Sequence, residues 1–172
     1  MRKAAVAGLL ALPLLVAACE KPKSAAQQAA EDARAVAMVE AAQTAAPPPV
    51  PIDPQPITAA DIEHNRLYGA GCSLVPAAQP GGDPVVMASD RRAVLKVAGR
   101  FITFAADAGS EVVALGTRSH YVGKAQSLWF EKSPGDGTGL GQDAMRWQGR
   151  MTVRDAHNQL VYTMAGELVC TG

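Results

Sequence analysis

The chain has 172 residues, 48% of them hydrophobic, 5% aromatic and 19% charged, with sixteen basic side chains against sixteen acidic ones. That length accommodates one core and excludes two large ones. The balanced charge removes the surplus of Lys and Arg with which proteins hold nucleic acid irrespective of sequence. All eight aromatic residues and all three His come after residue 60, as do fifteen of the sixteen Gly. The first 57 residues are therefore expected to add little to any core.

Arg2 and Lys3 precede an uncharged apolar run over 4–18. The run is short for a permanent bilayer span and has the length of a signal-peptide h-region. It ends in Val16-Ala17-Ala18-Cys19, which resembles the lipobox of bacterial lipoprotein precursors. That resemblance implies removal of residues 1–18, a diacylglyceryl group on the Cys19 sulfur and acylation of the new N-terminus by chains such as palmitate. Several acyl chains make a durable anchor, because each buried CH₂ contributes about 0.8 kcal/mol. The residue after Cys19 is Glu20, not the Asp that holds some lipoproteins in the inner membrane. The implied location is the outer membrane, facing the periplasm.

Residues 19–57 read as a lipidated tether. Between residues 25 and 46, eleven of 22 residues are Ala, which favours helix, but Val36, Met38 and Val39 form no continuous apolar stripe. A frayed helix or disordered spacer is expected there. Six prolines in the ten residues 47–56 predict an extended, semi-rigid spacer of about 3 Å per residue.

A globular domain is expected over 58–172. Thr58-Ala59-Ala60-Asp61 has the spacing of a capping box, with Asp61 in place of the usual Glu or Gln, and Gly69 and Gly71 stop the short helix that follows. Cys72-Ser73-Leu74-Val75-Pro76 leads into a Gly/Pro loop over 79–84. From there the pattern turns to β. Candidate strands cover 85–88, 93–97, 100–105, 110–115, 118–122, 126–131, 145–154 and 159–165, with 167–171 continuing the last. The expectation is a mainly β fold: a short helix, then a small antiparallel barrel or sandwich of about seven or eight strands. The absence of βαβ alternation argues against a dinucleotide-binding domain.

With Cys19 assigned to lipid, Cys72 and Cys170 remain. In an oxidising compartment an even residual count favours a disulfide, and only one intramolecular pairing exists. It joins the end of the helix to the last strand. A nucleophilic Cys72 assisted by His120 or His157 is the competing reading, but Gly69-Ala70-Gly71-Cys72-Ser73 matches no cysteine-hydrolase motif.

Little else points to chemistry. His64, His120 and His157 are not spaced as zinc ligands, and no metal is expected. No Gly-x-Ser-x-Gly elbow is present. The Gly-rich run 133–143 lacks the Lys-Ser/Thr of a phosphate-binding loop and joins strand to strand, so it reads as a hairpin loop. No catalytic residue and no cofactor is assigned.

Two stretches, Ser119-His120-Tyr121-Val122-Gly123 and Leu128-Trp129-Phe130-Glu131-Lys132, with an early and a terminal Cys, resemble the membrane-bound inhibitors of c-type lysozyme. The resemblance implies a small β domain and a Tyr-bearing loop that enters the lysozyme cleft, although the Ser-Gly usual before that Tyr is missing. Apart from it, Trp129 and Phe130 are strand neighbours, so one faces the core and the other does not. The candidate binding surface is Arg118, His120, Tyr121, Lys124 and Trp129. The function expected is a membrane-anchored envelope lipoprotein with a non-enzymatic domain that binds an envelope protein or a glycan. The alternatives are a muramidase inhibitor and a periplasmic hydrolase with dispersed catalytic residues.

Overall fold

A computed structural model of the protein describes residues 23–172. The expected signal segment and Cys19, the expected lipidation residue, lie outside the described residues. The chain divides into two units, one ending at Ala45 and the other spanning Ala46–Gly172.

The first unit contains α1 (Ala25–Thr44), a regular helix and not the frayed or disordered spacer expected. Two local features account for the difference. Ser24 and Gln27 form a reciprocal capping box, and Lys23 reaches Glu31 at 2.7 Å. No residue of α1 is buried, as the missing apolar stripe implies.

The second unit runs in chain order through β1 (Pro54–Gln55), α2 (Ala59–Asn65), β2 (Gly71–Pro76), β3 (Val86–Ala88), β4 (Arg92–Val97) and β5 (Arg100–Ala106). It continues through β6 (Val112–Ala114), β7 (Thr117–Arg118), β8 (His120–Val122), β9 (Gln126–Lys132), β10 (Thr138–Gly139), β11 (Ala144–Asp155) and β12 (Leu160–Thr171). Eight of these strands form a closed antiparallel ring in the order β2-β3-β4-β5-β8-β9-β11-β12, with β12 returning to β2. The barrel expected as one of two β architectures is the one adopted. Each ring strand pairs with its neighbour along the chain, so this is an up-and-down barrel.

Alternation along each strand sends one set of side chains inward. Leu74, Leu95, Phe104, Tyr121, Leu128, Met151 and Leu168 are fully buried there. Eight strands give an interior that side chains can fill, and here they fill it. Gly166 belongs to the seam: a Cβ at that position would lie on the carbonyl oxygen of Val75 in β2, so only Gly lets β12 and β2 meet there.

The seam is also covalent. Cys72 and Cys170 are register partners on β2 and β12, bonded as a disulfide with their Cα atoms 3.9 Å apart. Both are buried.

Several element boundaries differ from those the pattern predicts. Residues 71–76 form β2, although Ser73 and Pro76 disguise its apolar alternation. The candidate strand 159–165 does run on through 167–171, as expected, because Gly166 serves close approach and does not end the pairing. The stretch 118–122 is two strands, interrupted at Ser119, whose N–H donates to the Glu111 carbonyl. β6 and β7 make a separate hairpin, which folds over the barrel end where β12 finishes. Val113 and Ala114 pack on the core, and buried Thr117 donates to the Ala88 carbonyl. Helix α2 has the expected capping box but ends at left-handed Arg66 (φ 51°), before Gly69 and Gly71.

The domain begins earlier than Thr58. β3 reaches only as far as Leu95 on β4, which leaves Lys96 and Val97 without a partner on that side. β1 takes the position, with Pro54 opposite Val97 and Gln55 opposite Lys96. A Pro is tolerated on so short an edge strand. Nearby, Ile52 donates its N–H to the Val161 carbonyl, and Ile57 is fully buried. Burial, with Asp53 adding to it, raises the pKa of Tyr162. Residues 52–57 are thus a strap on the barrel and not part of a free spacer. Replacing Ile57 by Ala should cost about 2–4 kcal/mol in chemical denaturation.

Helix α2 is tied down by an ion pair of 2.7 Å between Lys96 Nζ and Asp61 Oδ2. Lys96, followed by the N–H and hydroxyl of Thr58, holds the Asp61 carboxyl down to about 2. A carboxylate depressed in the folded state contributes stability above its unfolded pKa of about 3.9, and loses it as pH falls through the folded value. Wild-type thermal stability should therefore decline between about pH 4 and pH 2 by more than that of Asp61→Asn. Thermal melts across that range measure the difference. Cys170→Ala should lower stability by up to about 4.7 kcal/mol in the chain-entropy account of a bridge spanning roughly 100 residues. Denaturation midpoints of the oxidised wild type and the variant give the comparison.

Candidate functional site

An outer wall of the barrel, carried by β8, β9, β11 and β12, holds the most exposed aromatic side chain of the ring strands. The β9 residues alternate: Leu128 and Phe130 point in, while Trp129 points out and is 41% exposed. Register places His120 of β8 on one side of Trp129 and Thr152 of β11 on the other, with Thr163 of β12 beyond Thr152. Partners across an antiparallel pair share a face. The outer row is therefore His120–Trp129–Thr152–Thr163.

The aromatic pair is held upright. The His120 ring stacks on the indole with centroids 3.9 Å apart and planes 24° apart. On its other side, His120 Nδ1 lies 3.0 Å from Asp107 Oδ2. Hydrogen bonding to His120, then to the Gly109 N–H, lowers the Asp107 pKa, with further help from the charge of Arg118. An ionised carboxylate only accepts, so Nδ1 carries the proton in this contact. Asp107 thus braces His120, and His120 braces Trp129.

The five candidate surface residues fare differently. His120 and Trp129 come together as described. Arg118 is half-buried at the rim, where its guanidinium donates to the Ser110 carbonyl and steadies the loop carrying Asp107. Lys124 is exposed in the turn between β8 and β9, at the far end of that hairpin from His120. Tyr121 is not on the surface. Strand parity turns it inward, where it is fully buried, meets Phe130 edge-on and donates its hydroxyl to the Ser89 carbonyl at 2.6 Å. The same oxygen accepts from the Arg118 N–H at 2.8 Å, and burial raises the phenol pKa. Tyr121 therefore fastens the β6–β7 hairpin to the core.

Trp147 is the second Trp and has a structural task. Its Nε1 donates to the Gly135 carbonyl at 3.1 Å, and the Lys132 ammonium lies 5.0 Å above its ring. The indole occupies the space of a Cβ at Gly137 (φ 79°), which fixes the Gly-rich loop over it. That loop also pairs with β11 through β10.

His64 and His157 are exposed and lie apart from the wall. No group of three His, Cys, Asp or Glu suited to a metal occurs among the described residues. Three contributors to the wall escape sequence reading: Asp107, Thr152 and the arginines of β11. Asp107 sits in a turn and meets His120 only in three dimensions. The others needed the β9–β11 register, although alternation in 145–154 already put Arg146, Arg150 and Arg154 on one face.

Tyr121→Phe leaves the Ser89 carbonyl and the Arg118 N–H without their partner, and should cost about 1–3 kcal/mol. The urea midpoint of the variant measures this loss. Comparison with protein families, curated proteins and solved structures finds no match to the chain.

Proposed function

We propose that the protein is a membrane-anchored envelope lipoprotein, held through Cys19, whose barrel is a non-enzymatic binding domain acting through the Trp129 wall. The observation that carries this reading is the braced indole. A side chain as large as Trp is normally used for burial in so small a domain, yet Trp129 is left 41% exposed. Two further residues, His120 and Asp107, fix its orientation. Holding an aromatic anchor in one rotamer reduces the entropy lost when it binds. The interior is filled by side chains, which favours recognition on the outer wall.

The inhibitor-like reading requires a displayed Tyr, and Tyr121 lies in the core. The sequence around Cys19 supports an outer-membrane anchor facing the periplasm, where the wall meets envelope proteins and glycans.

The test uses the full chain expressed in a bacterial host with an outer membrane. Wild-type protein should fractionate with membranes and have a lipid-modified Cys19 as its first residue by intact mass, and Cys19→Ser should not. Immobilised mature protein should retain an envelope component that Trp129→Ala fails to retain. A Cys19→Ser protein processed and membrane-bound as before refutes the anchor. Retention unchanged in Trp129→Ala refutes the binding surface.

A further inference from the structure

Trp129 is not surrounded as an anchor in a protein interface would be. Such anchors sit in a ring of apolar contacts that excludes water. Here the nearest flanking outward residues are Ser127 and Glu131 on β9, Thr152 and Arg150 on β11, and Thr163 on β12, and the exposed apolar Val122 and Leu160 stand at the two ends of the next row, Val122–Ser127–Arg154–Leu160. His120 covers the indole face on the β8 side, so the opposite face turns toward β11. Among the described residues no cation lies over that face; the one such contact belongs to Trp147.

The floor beside the free face bears the small hydroxyl side chains of Thr152 and Thr163, the latter donating to the Met151 carbonyl. Arg150 and Arg154 stand on either side of Thr152, four residues apart on one strand face, or about 13 Å at 3.3 Å per residue. Neither arginine makes an ion pair among the described residues. Arg154 donates to the Asn158 carbonyl and keeps its charge uncompensated. Of the acids nearby, Asp107 is engaged by His120 and Asp155 accepts the N–H groups of His157 and Gln159 within its turn; Glu131 stands opposite Arg150 without an ion pair to it, whereas Arg154 has Ser127 opposite and no acid.

We propose that this strip binds a carboxylate-bearing envelope glycan laid along β11. The inference rests on the binding function proposed above and names its ligand. One sugar ring stacks its C–H face on the free face of Trp129, whose electron-rich surface attracts those hydrogens. Thr152 and the Thr163 row meet ring hydroxyls. Carboxylates on flanking sugars meet Arg154 and Arg150, whose planar guanidinium matches a carboxylate with two parallel hydrogen bonds. A protein partner would have to desolvate the two arginines and the threonines between the exposed apolar side chains Val122 and Leu160 at the ends of the adjacent row.

The probe is oligogalacturonate, with its methyl ester as the uncharged control. Full-length mature protein carrying Trp147→Phe has Trp129 as its only Trp, so its emission reports the strip. Oligogalacturonate should quench that emission saturably, and the methyl ester should bind about tenfold more weakly or worse. Arg150→Gln with Arg154→Gln should weaken the acid by a similar factor and leave the ester unaffected. Near-UV circular dichroism of each variant confirms an intact fold. Equal binding of acid and ester, or binding of neither, overturns the glycan assignment. If the acid fails while Trp129-dependent retention of an envelope protein stands, this inference falls and the binding function survives. If both fail, both fall.

Discussion

The meeting of β2 with β12 is the constraint on which the domain depends. An eight-stranded sheet that did not close would leave two long edges with unpaired N–H and C=O groups, and half of its interior side chains in water. Closure demands that the first and last ring strands, some 100 residues apart in the chain, find one register. Three devices select it. Gly166 opens space for the Val75 carbonyl, Leu74 and Leu168 face each other inside, and Cys72 meets Cys170 as a register pair. A slip of β2 by one residue against β12 would turn Cys72 and Leu74 outward, away from Cys170 and Leu168, and put Val75 in their place.

From that closure the surface follows. Once the register is fixed, each strand has one inward parity, and the adjacent aromatics of β9 are forced apart: Phe130 into the core, Trp129 to solvent. The same parity sends Tyr121 inward and His120 outward on β8. The wall therefore owes its rigidity to the side chains behind it. Tyr121 locks the rim hairpin through Ser89 and Arg118, and the pairing of β5 with β8 places Asp107 beside His120, whose carbonyl accepts the Asp107 N–H. Core and surface are two faces of one set of strands.

What could be read from the residues in advance was what depends on local pattern. The strand-rich fold, the Thr58–Asp61 cap and the pairing of the two remaining cysteines all follow from alternation, spacing and count. Tyr121 was misplaced because the parity of a three-residue strand has no internal evidence; only its pairing with β9 sets which face is inside. The strap was misread because prolines describe a chain's stiffness and not whether an unfinished edge, here the end of β4, is waiting for it. Asp107 carried no signal, since its role exists only once β5 pairs with β8 across the intervening hairpin.

The strap at residues 52–57 has a mechanical meaning. A pull on the chain from its N-terminal side meets the single bond from Ile52 to the Val161 carbonyl and then β1, whose ladder is two residues long, before it meets the disulfide-bonded seam. These are loaded in series, so tension peels β1 from Lys96 and Val97 and draws Ile57 out before any ring strand is sheared. Strand β1 acts as a fuse. It yields length under load, while the barrel and the wall it presents keep their shape.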